Sequence, residues 1–352
     1  MSRVMFEELC GVVFNHVVEK NRVIRKRRPF QDIMLMVVWL MATPDCFRSV
    51  GLRFGVTPST LYYVYSYVIL AVDRVQPLCS SQSLKSCSEL AATQIIWSDA
   101  VERTHISQTF ERATHFPGVI CCIYCTHINI TAKLEDARQC INRHHSYSIN
   151  VQAVVDHNLL ARHLHVGEVG SMNEKRVFTR SPLHHDLLHL PPGLVIGPDE
   201  HLVGDSAYVV TSFEMMAPYP NNCHLTERQL NFNKKLSQCR VRVENAFARA
   251  KGKWRRLKFL HVRNPRNLVE HVTASFVLHN FLIREGEQME AELASPINDN
   301  EMLAGVIDEQ LIDDVPEAER VLQDAAEARG DKNRLFYSDH LLPLPEEEER
   351  EE

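Results

Sequence analysis

The feature that most constrains the fold is a series of apolar, partly β-branched segments in the middle of the chain, followed by polar and basic helical segments. The segments predict strands at residues 118–130, 148–155, 159–169 and 201–204, with a helix-compatible stretch at 174–188 before the fourth strand. Further helices are predicted at residues 236–257 and 267–284. This order of strands and helices predicts an α/β fold.

Composition fits a globular protein, because 45% of the residues are hydrophobic and 24% are charged. No apolar run reaches the roughly 18–20 residues of a membrane span, so we expect no membrane association. The longest run, residues 33–42, suits a buried helix. Ten cysteines without a secretory signal indicate reduced thiols in the nucleus or the cytoplasm.

The net charge of −6 conceals a basic body and an acidic tail. Residues 286–352 carry 21 acidic and 5 basic residues, a net charge of −16, and the other 34 basic and 24 acidic residues give residues 1–285 a net charge of +10. A basic body favours a polyanionic partner. The tail can shield that body, bind another partner, or serve only as a solvated, flexible extension.

Residues 45–70 have the layout of a helix-turn-helix module. Asp45 is the expected cap of a first helix, Gly55 suits the turn, and Thr57 with Pro58 can begin a second helix. That second helix has no cation between residues 59 and 70 to contact base edges. The pattern therefore favours a helical packing module over a DNA-reading one. The basic cluster at residues 20–28 is typical of a nuclear import signal, a phosphate contact or a solvated turn.

The predicted helix at residues 236–257 surrounds a single acid, Glu244, with cations. The predicted DNA contacts on and after it are Arg240, Arg242, Arg249, Lys251, Lys253, Arg255 and Arg256. A generic solvated face is the other interpretation. Glu244 at this spacing is also a natural ion-pair partner of Arg240, one turn back.

Carboxylates on different elements can hold two divalent cations for phosphodiester hydrolysis. Asp205 follows the fourth predicted strand, and Glu244 lies 39 residues later on the basic helix. On spacing alone, the ion pair with Arg240 is the favoured role of Glu244.

Several short sequence segments, which follow one another along the chain, provide a further signal. They are Phe116-Pro117-Gly118-Val119-Ile120, Thr126-His127-Ile128, Asn142-Arg143, Ser148 to Asp156, Val169-Gly170-Ser171 with Arg176-Val177-Phe178, Gly204-Asp205-Ser206-Ala207-Tyr208, Phe232-Asn233 with Leu236-Ser237, Arg240 with Glu244, Phe247, Lys251, Trp254 and Arg255, and Leu278-His279-Asn280. Together they resemble the PIF/Harbinger transposase family and its domesticated relative, the Harbinger transposase-derived nuclease.

The resemblance implies an RNase H-like fold with a DDE centre over residues 95–285. Residues 1–76 would be the helical, helix-turn-helix-like module, residues 77–94 a linker and residues 286–352 the acidic tail. The implied metal ligands are Asp205, Glu244 and Glu174, which would hold Mg²⁺ or Mn²⁺. Glu174 stands where the family has an Asp, and its longer side chain reaches less rigidly.

The main departure from the family is Tyr124, which stands at the position of the first catalytic Asp. A phenol with a reference pKa of about 10 brings no charge to a metal at neutral pH. Asp156 on the next strand is a candidate substitute. Cys122 and Cys125 form a CxxC pair, for which buried packing is favoured over zinc because a second ligand pair at suitable spacing does not follow.

Three functions therefore remain open: a metal-dependent DNA nuclease impaired at Tyr124, an inactive transposase derivative that binds DNA, and a protein-interaction module. The resemblance also implies a separate Myb-like DNA-binding partner, which would suit the cation-poor helix at residues 59–70. We expect the protein in the nucleus, with the cytoplasm as the second compartment.

Overall fold

The computed structural model of the protein describes residues 1–18, 28–73, 94–131, 140–208, 215–220, 225–261 and 265–286. Three predicted segments lie almost entirely outside these residues: the basic cluster at 20–28, the linker at 77–94 and the acidic tail at 286–352. No helix in the described part of the chain is both long and apolar enough to cross a bilayer.

The described helices are α1 (Arg3–Val18), α2 (Phe30–Ala42), α3 (Phe47–Phe54), α4 (Pro58–Asp73), α5 (Ala100–Thr114), α6 (Glu174–Thr179), α7 (Pro182–His189), α8 (Glu227–Lys253) and α9 (Pro265–Arg284). The strands are β1 (Val119–Ile130), β2 (Ser148–Val155), β3 (Ala161–Val169), β4 (His201–Val203), β5 (Met215–Met216) and β6 (Phe259–Leu260). Short 3-10 helices follow β4 at Ser206–Tyr208 and α8 at Arg255–Lys258.

The strands form one mixed sheet in the order β3-β2-β1-β4-β5. β1, β2 and β3 are antiparallel neighbours, whereas β4 and β6 pair with β1 in parallel and β5 pairs with β4 in parallel. Every residue of β2 is buried, which is expected when helices cover both faces of a sheet. The predicted α/β class is confirmed.

The two faces of β1 bury different groups. On one face, Cys122 donates from its Sγ to the carbonyl oxygen of Cys239 on α8 at 3.1 Å. On the other face, Cys125 lies 3.4 Å from the Tyr208 hydroxyl. Residues three apart on a strand point to opposite faces, so this CxxC pair cannot share a zinc ion, and both thiols are buried as expected.

Local capping explains where the structure differs from the predicted helices. Asp45 was the expected cap of α3, and this is wrong: the Cys46 side chain accepts from the backbone N–H of Ser49, while Asp45 accepts from the Trp39 indole at 2.9 Å. The helix predicted over 174–188 is two helices, because Ser181 caps a new start and Pro182 follows it. α8 begins at Glu227 rather than near residue 236, where Thr226 and Gln229 form a capping box.

The N-terminal helices pack on the sheet domain and share its main hydrophobic core. The Tyr65 hydroxyl on α4 hydrogen-bonds the buried His271 ring on α9. Arg256 is also buried, and it donates to the carbonyl oxygens of Leu40 and Asp45 while its guanidinium lies 5.6 Å from the Phe47 ring centroid. Arg256 therefore joins the N-terminal helices to the domain, and its side chain is not presented to phosphate as predicted.

We expect Arg256→Ala to lower the free energy of unfolding by about 2–4 kcal/mol, because it leaves two carbonyl groups without their charged donor. Arg255 is the matched control, since its side chain is exposed. Arg255→Ala should change the same quantity by less than about 0.5 kcal/mol. Urea denaturation measures both values, and equal effects would contradict the assigned role of Arg256.

Candidate active site

The site lies along the edge of β1 that faces away from β2. On this edge, β4 pairs with Val119 to Cys122 and β6 pairs with Asn129 and Ile130. Between them, two side chains bond to backbone groups of β1: the Cys125 N–H donates to Glu174 Oε2 at 3.3 Å, and Lys251 Nζ donates to the carbonyl oxygen of His127 at 3.0 Å. Residues from β1, α6 and α8 thus meet at this open edge.

Tyr124 occupies the centre of this edge, on the face of β1 that packs against α8. Its ring lies 6.3 Å from the Phe247 ring in an edge-to-face arrangement, and the Arg240 guanidinium carbon lies 5.8 Å from its centroid. Burial, followed by the charges of Glu174 and Asp205, raises the pKa of Tyr124 above its usual value. The phenol is therefore neutral at physiological pH.

Asp205 and Glu174 are two buried carboxylates at the site, and the charge of Asp205 acts on Glu174. Asp205 accepts a hydrogen bond from the Ala207 N–H at 2.9 Å, which fixes one carboxylate oxygen. Gly204 precedes it, and a Cβ at that position would lie 3.0 Å from the Tyr208 side chain, which would have to shift. Burial raises the pKa of Asp205, and burial together with the charge of Asp205 raises the pKa of Glu174 well above its usual range.

Glu244 and Arg240 form the ion pair that their spacing predicts. Arg240 Nη2 lies 3.5 Å from Glu244 Oε1, and the two side chains are 9% and 20% exposed. The guanidinium also lowers the pKa of Asp205, Glu174 and Tyr124, in opposition to burial. Arg240 is therefore a common counter-ion of the site, and its side chain is largely buried there.

These residues do not fit a pair of divalent cations. Across the described residues, no three His, Cys, Asp or Glu side chains converge closely enough to hold a metal ion. Glu174 uses one oxygen for a backbone N–H, Glu244 faces a cation, and a neutral phenol stands at the third position. Asp156 offers no substitute, because it is buried in an ion pair with Arg162 at 2.7 Å and accepts from the Asn158 and Leu160 N–H groups.

The predicted DNA contacts of α8 do not share one surface. Helical spacing places Lys251 on the same side as Arg240 and Glu244, whereas Arg242, Arg249 and Lys253 lie about half a turn away around the helix. The charge of Arg242 acts instead on His157, beyond the far end of β2. One duplex lying on the site could not contact all of these cations.

Arg143 is a cation close to the site that the sequence analysis did not select as a DNA contact. Arg143 is exposed on the β1–β2 connection, and its charge acts on Glu174, Asp205 and His127. The Asn142 side chain accepts from the His144 and Ser146 N–H groups and so holds this loop. The Asn142-Arg143 phrase belonged to the family resemblance and was the one signal for this position.

Comparison with known proteins agrees with this architecture. Residues 123–280 match the family model described as DDE superfamily endonuclease, and this segment contains Tyr124, Glu174, Asp205 and Glu244. The segment is therefore similar to the DDE superfamily of endonucleases, whose members typically use divalent metal ions.

Among curated proteins, the chain is similar to Protein ALP1-like from Arabidopsis thaliana. It is 22% identical over 308 residues, which cover 82% of this chain and 70% of the relative. Both comparisons agree with the resemblance to the Harbinger transposase-derived family, which is confirmed. No solved structure matches the chain.

We expect Glu174→Gln to raise the melting temperature at about pH 8 and to leave it unchanged at about pH 4. The pKa of Glu174 is higher in the folded state than in the unfolded state, so the folded protein favours the neutral carboxyl group. The stability that this neutral group gives is fully present below the unfolded-state pKa and is lost as the pH rises through the folded-state pKa. Gln removes the charge and keeps an oxygen for the Cys125 N–H. Thermal unfolding across this pH range measures the difference.

Glu168→Gln is the control with the opposite sign. Hydrogen bonds from His165 and Arg180 lower the pKa of Glu168, so its stabilising contribution is present at neutral pH and is lost on acidification. Its removal should lower the melting temperature at about pH 8. Destabilisation by Glu174→Gln at that pH would contradict the electrostatics described for the site.

Proposed function

We propose that this chain is a transposase-derived protein that acts on DNA and whose metal-dependent phosphodiester hydrolysis is impaired at Tyr124. The observation that carries the proposal is the position of Tyr124, which lies among Glu174, Asp205 and Glu244 with Arg240 against its ring. Binding without efficient cleavage is the function that this geometry supports best.

The strand arrangement supports an RNase H-like core beneath the site. Three antiparallel strands, β1 to β3, are followed by β4 and β5, which run parallel to β1 on its other side. In such a core, acids from β1, from the end of β4 and from the following long helix would converge. Tyr124 lies on β1, Asp205 follows β4 and Glu244 lies on α8, which supports the assignment of these residues to the three positions.

The charge at the site argues against two-metal chemistry. Burial raises the pKa of both Glu174 and Asp205, Glu244 is paired with Arg240, and Tyr124 is neutral. The raised pKa values and the ion pair both reduce the negative charge available to two divalent ions. A carboxylate at position 124 would add a further ligand and a further charge.

Retention of DNA binding is supported by charge. Residues 1–285 have a net charge of +10, and Arg143 with the partly buried Lys251 lies beside the site. Such binding should depend strongly on salt concentration. The nucleus is the proposed compartment, because DNA and the basic cluster at residues 20–28 both suit it.

A protein-interaction role is the alternative, and one observation favours it for the N-terminal helices. Leu52 is 78% exposed, and Tyr62 and Tyr63 on α4 are 50% and 53% exposed. α4 has no cation along its length. These helices therefore suit contact with a protein, such as a Myb-like DNA-binding partner, better than contact with base edges.

A plasmid-nicking assay in Mn²⁺ or Mg²⁺ tests the proposed impairment. We expect the wild type to nick no faster than Asp205→Ala, and we expect Tyr124→Asp to acquire metal-dependent nicking, because it restores a carboxylate beside Asp205 and Glu174. Tyr124→Asn is the matched control, since it leaves the same space against Phe247 without the charge.

Two results would contradict the proposal. Nicking by the wild type that disappears in Asp205→Ala would show that the phenol is tolerated in a working centre. Failure of Tyr124→Asp to nick, in a variant that folds, would show that the impairment does not lie at Tyr124.

A further inference from the structure

The far end of the open β1 edge carries exposed aromatic rings that the impaired centre does not use. Phe259 on β6 is 43% exposed and pairs with Asn129 of β1. Its ring centroid lies 4.6 Å from that of His261, whose side chain is also exposed. A phenyl ring left this open on a two-residue strand contributes little to the core.

Basic groups lie along the part of the β1 edge that leads to these rings. Lys258 precedes Phe259 and is exposed, and burial together with the charge of Lys258 lowers the pKa of Lys251 to about 8. Burial together with the charges of Arg143 and Lys251 lowers the pKa of His127 to about 4. The electrostatic partners of Lys251 and His127 in the described residues are thus basic groups, which marks this end of the edge as a positive region.

The geometry of β1 places these groups in a row. Cys125 contacts Glu174, His127 contacts Lys251, and Asn129 pairs with Phe259. Each step of two residues along a strand advances about 6.6–6.8 Å. The edge therefore passes from acids to cations to aromatic rings within a few nucleotide lengths.

We propose that Arg143, Lys251, Lys258, Phe259 and His261, here called the edge surface, bind single-stranded nucleic acid. The cations would contact phosphates, and an unpaired base would stack on the Phe259 ring. Bases within a duplex are already stacked and offer only their phosphates, so the rings select an unpaired segment. The inference rests on the proposed action on DNA and adds the form of DNA that this edge recognises.

Fluorescence anisotropy with the full chain tests the edge surface. The probes are a labelled oligothymidylate of about 20 nucleotides, an abasic strand of equal length and a duplex. Phe259→Ala should weaken binding of the oligothymidylate about 5- to 150-fold and should change binding of the other two probes less than about twofold. Phe259→Leu should behave in the same way, and it keeps an apolar side chain in β6.

Two further variants complete the design. Tyr63→Ala removes an aromatic ring of similar exposure on α4, far along the chain from the edge, and should leave all three affinities unchanged. Lys258→Ala should weaken binding of all three probes and lower the salt dependence on single strands by about 0.7 in the log-log slope.

The outcomes separate this inference from the proposed function. Wild-type binding to the duplex with no binding to the single strand, or unchanged oligothymidylate affinity in both Phe259 variants, overturns the edge surface alone. Equal weakening on the abasic strand overturns base stacking. Absence of binding to every probe overturns both the edge surface and the proposed action on DNA.

Discussion

The structure depends on how the backbone N–H and carbonyl groups on the two edges of β1 are hydrogen-bonded. A buried strand must place every backbone N–H and carbonyl group in a hydrogen bond. β2 serves one edge along Cys122 to Asn129, whereas β4 and β6 serve only the two ends of the other. Glu174 and Lys251 bond to the groups between them. The backbone groups on the open edge of β1 thus need hydrogen-bond partners from elsewhere. Polar side chains of three elements are brought together at this edge.

The need to hydrogen-bond the open edge of β1 affects the electrostatics of the site. Glu174 must approach β1 to reach the Cys125 N–H, and this approach brings it into the field of Asp205 and away from water. The resulting penalty on its charge is opposed by Arg240, which also holds Glu244. With a neutral phenol at position 124, Arg240 faces three carboxylates rather than four. The α/β architecture is consistent with a DDE nuclease domain, and position 124 presents a phenol rather than a carboxylate.

Much of the fold could be predicted from the sequence, because its signals are local. Alternation defined β2 to the residue, and apolar runs located β1, β3 and β4. Two-residue strands such as β5 and β6 have no periodicity to detect, and α5 lay in a segment of mixed polarity. Ser181-Pro182 is a helix-start signal that separates α6 from α7, but one continuous helix was predicted there.

The site was predictable only in part. The family resemblance identified Asp205, Glu174, Glu244 and the departure at Tyr124, whereas composition and spacing favoured an ion pair for Glu244, which the structure contains. Whether a cation faces solvent or the core depends on packing between distant segments. Arg256 reaches Leu40 and Asp45, more than 200 residues away in the chain, and no local pattern shows this.

Calorimetric titration of Mn²⁺ into the wild-type protein tests the central claim most directly. We expect no saturable binding that depends on Asp205, because Tyr124 is a neutral phenol and Glu244 is paired with Arg240. Saturable binding of two Mn²⁺ ions per chain, lost in Asp205→Ala, would contradict it.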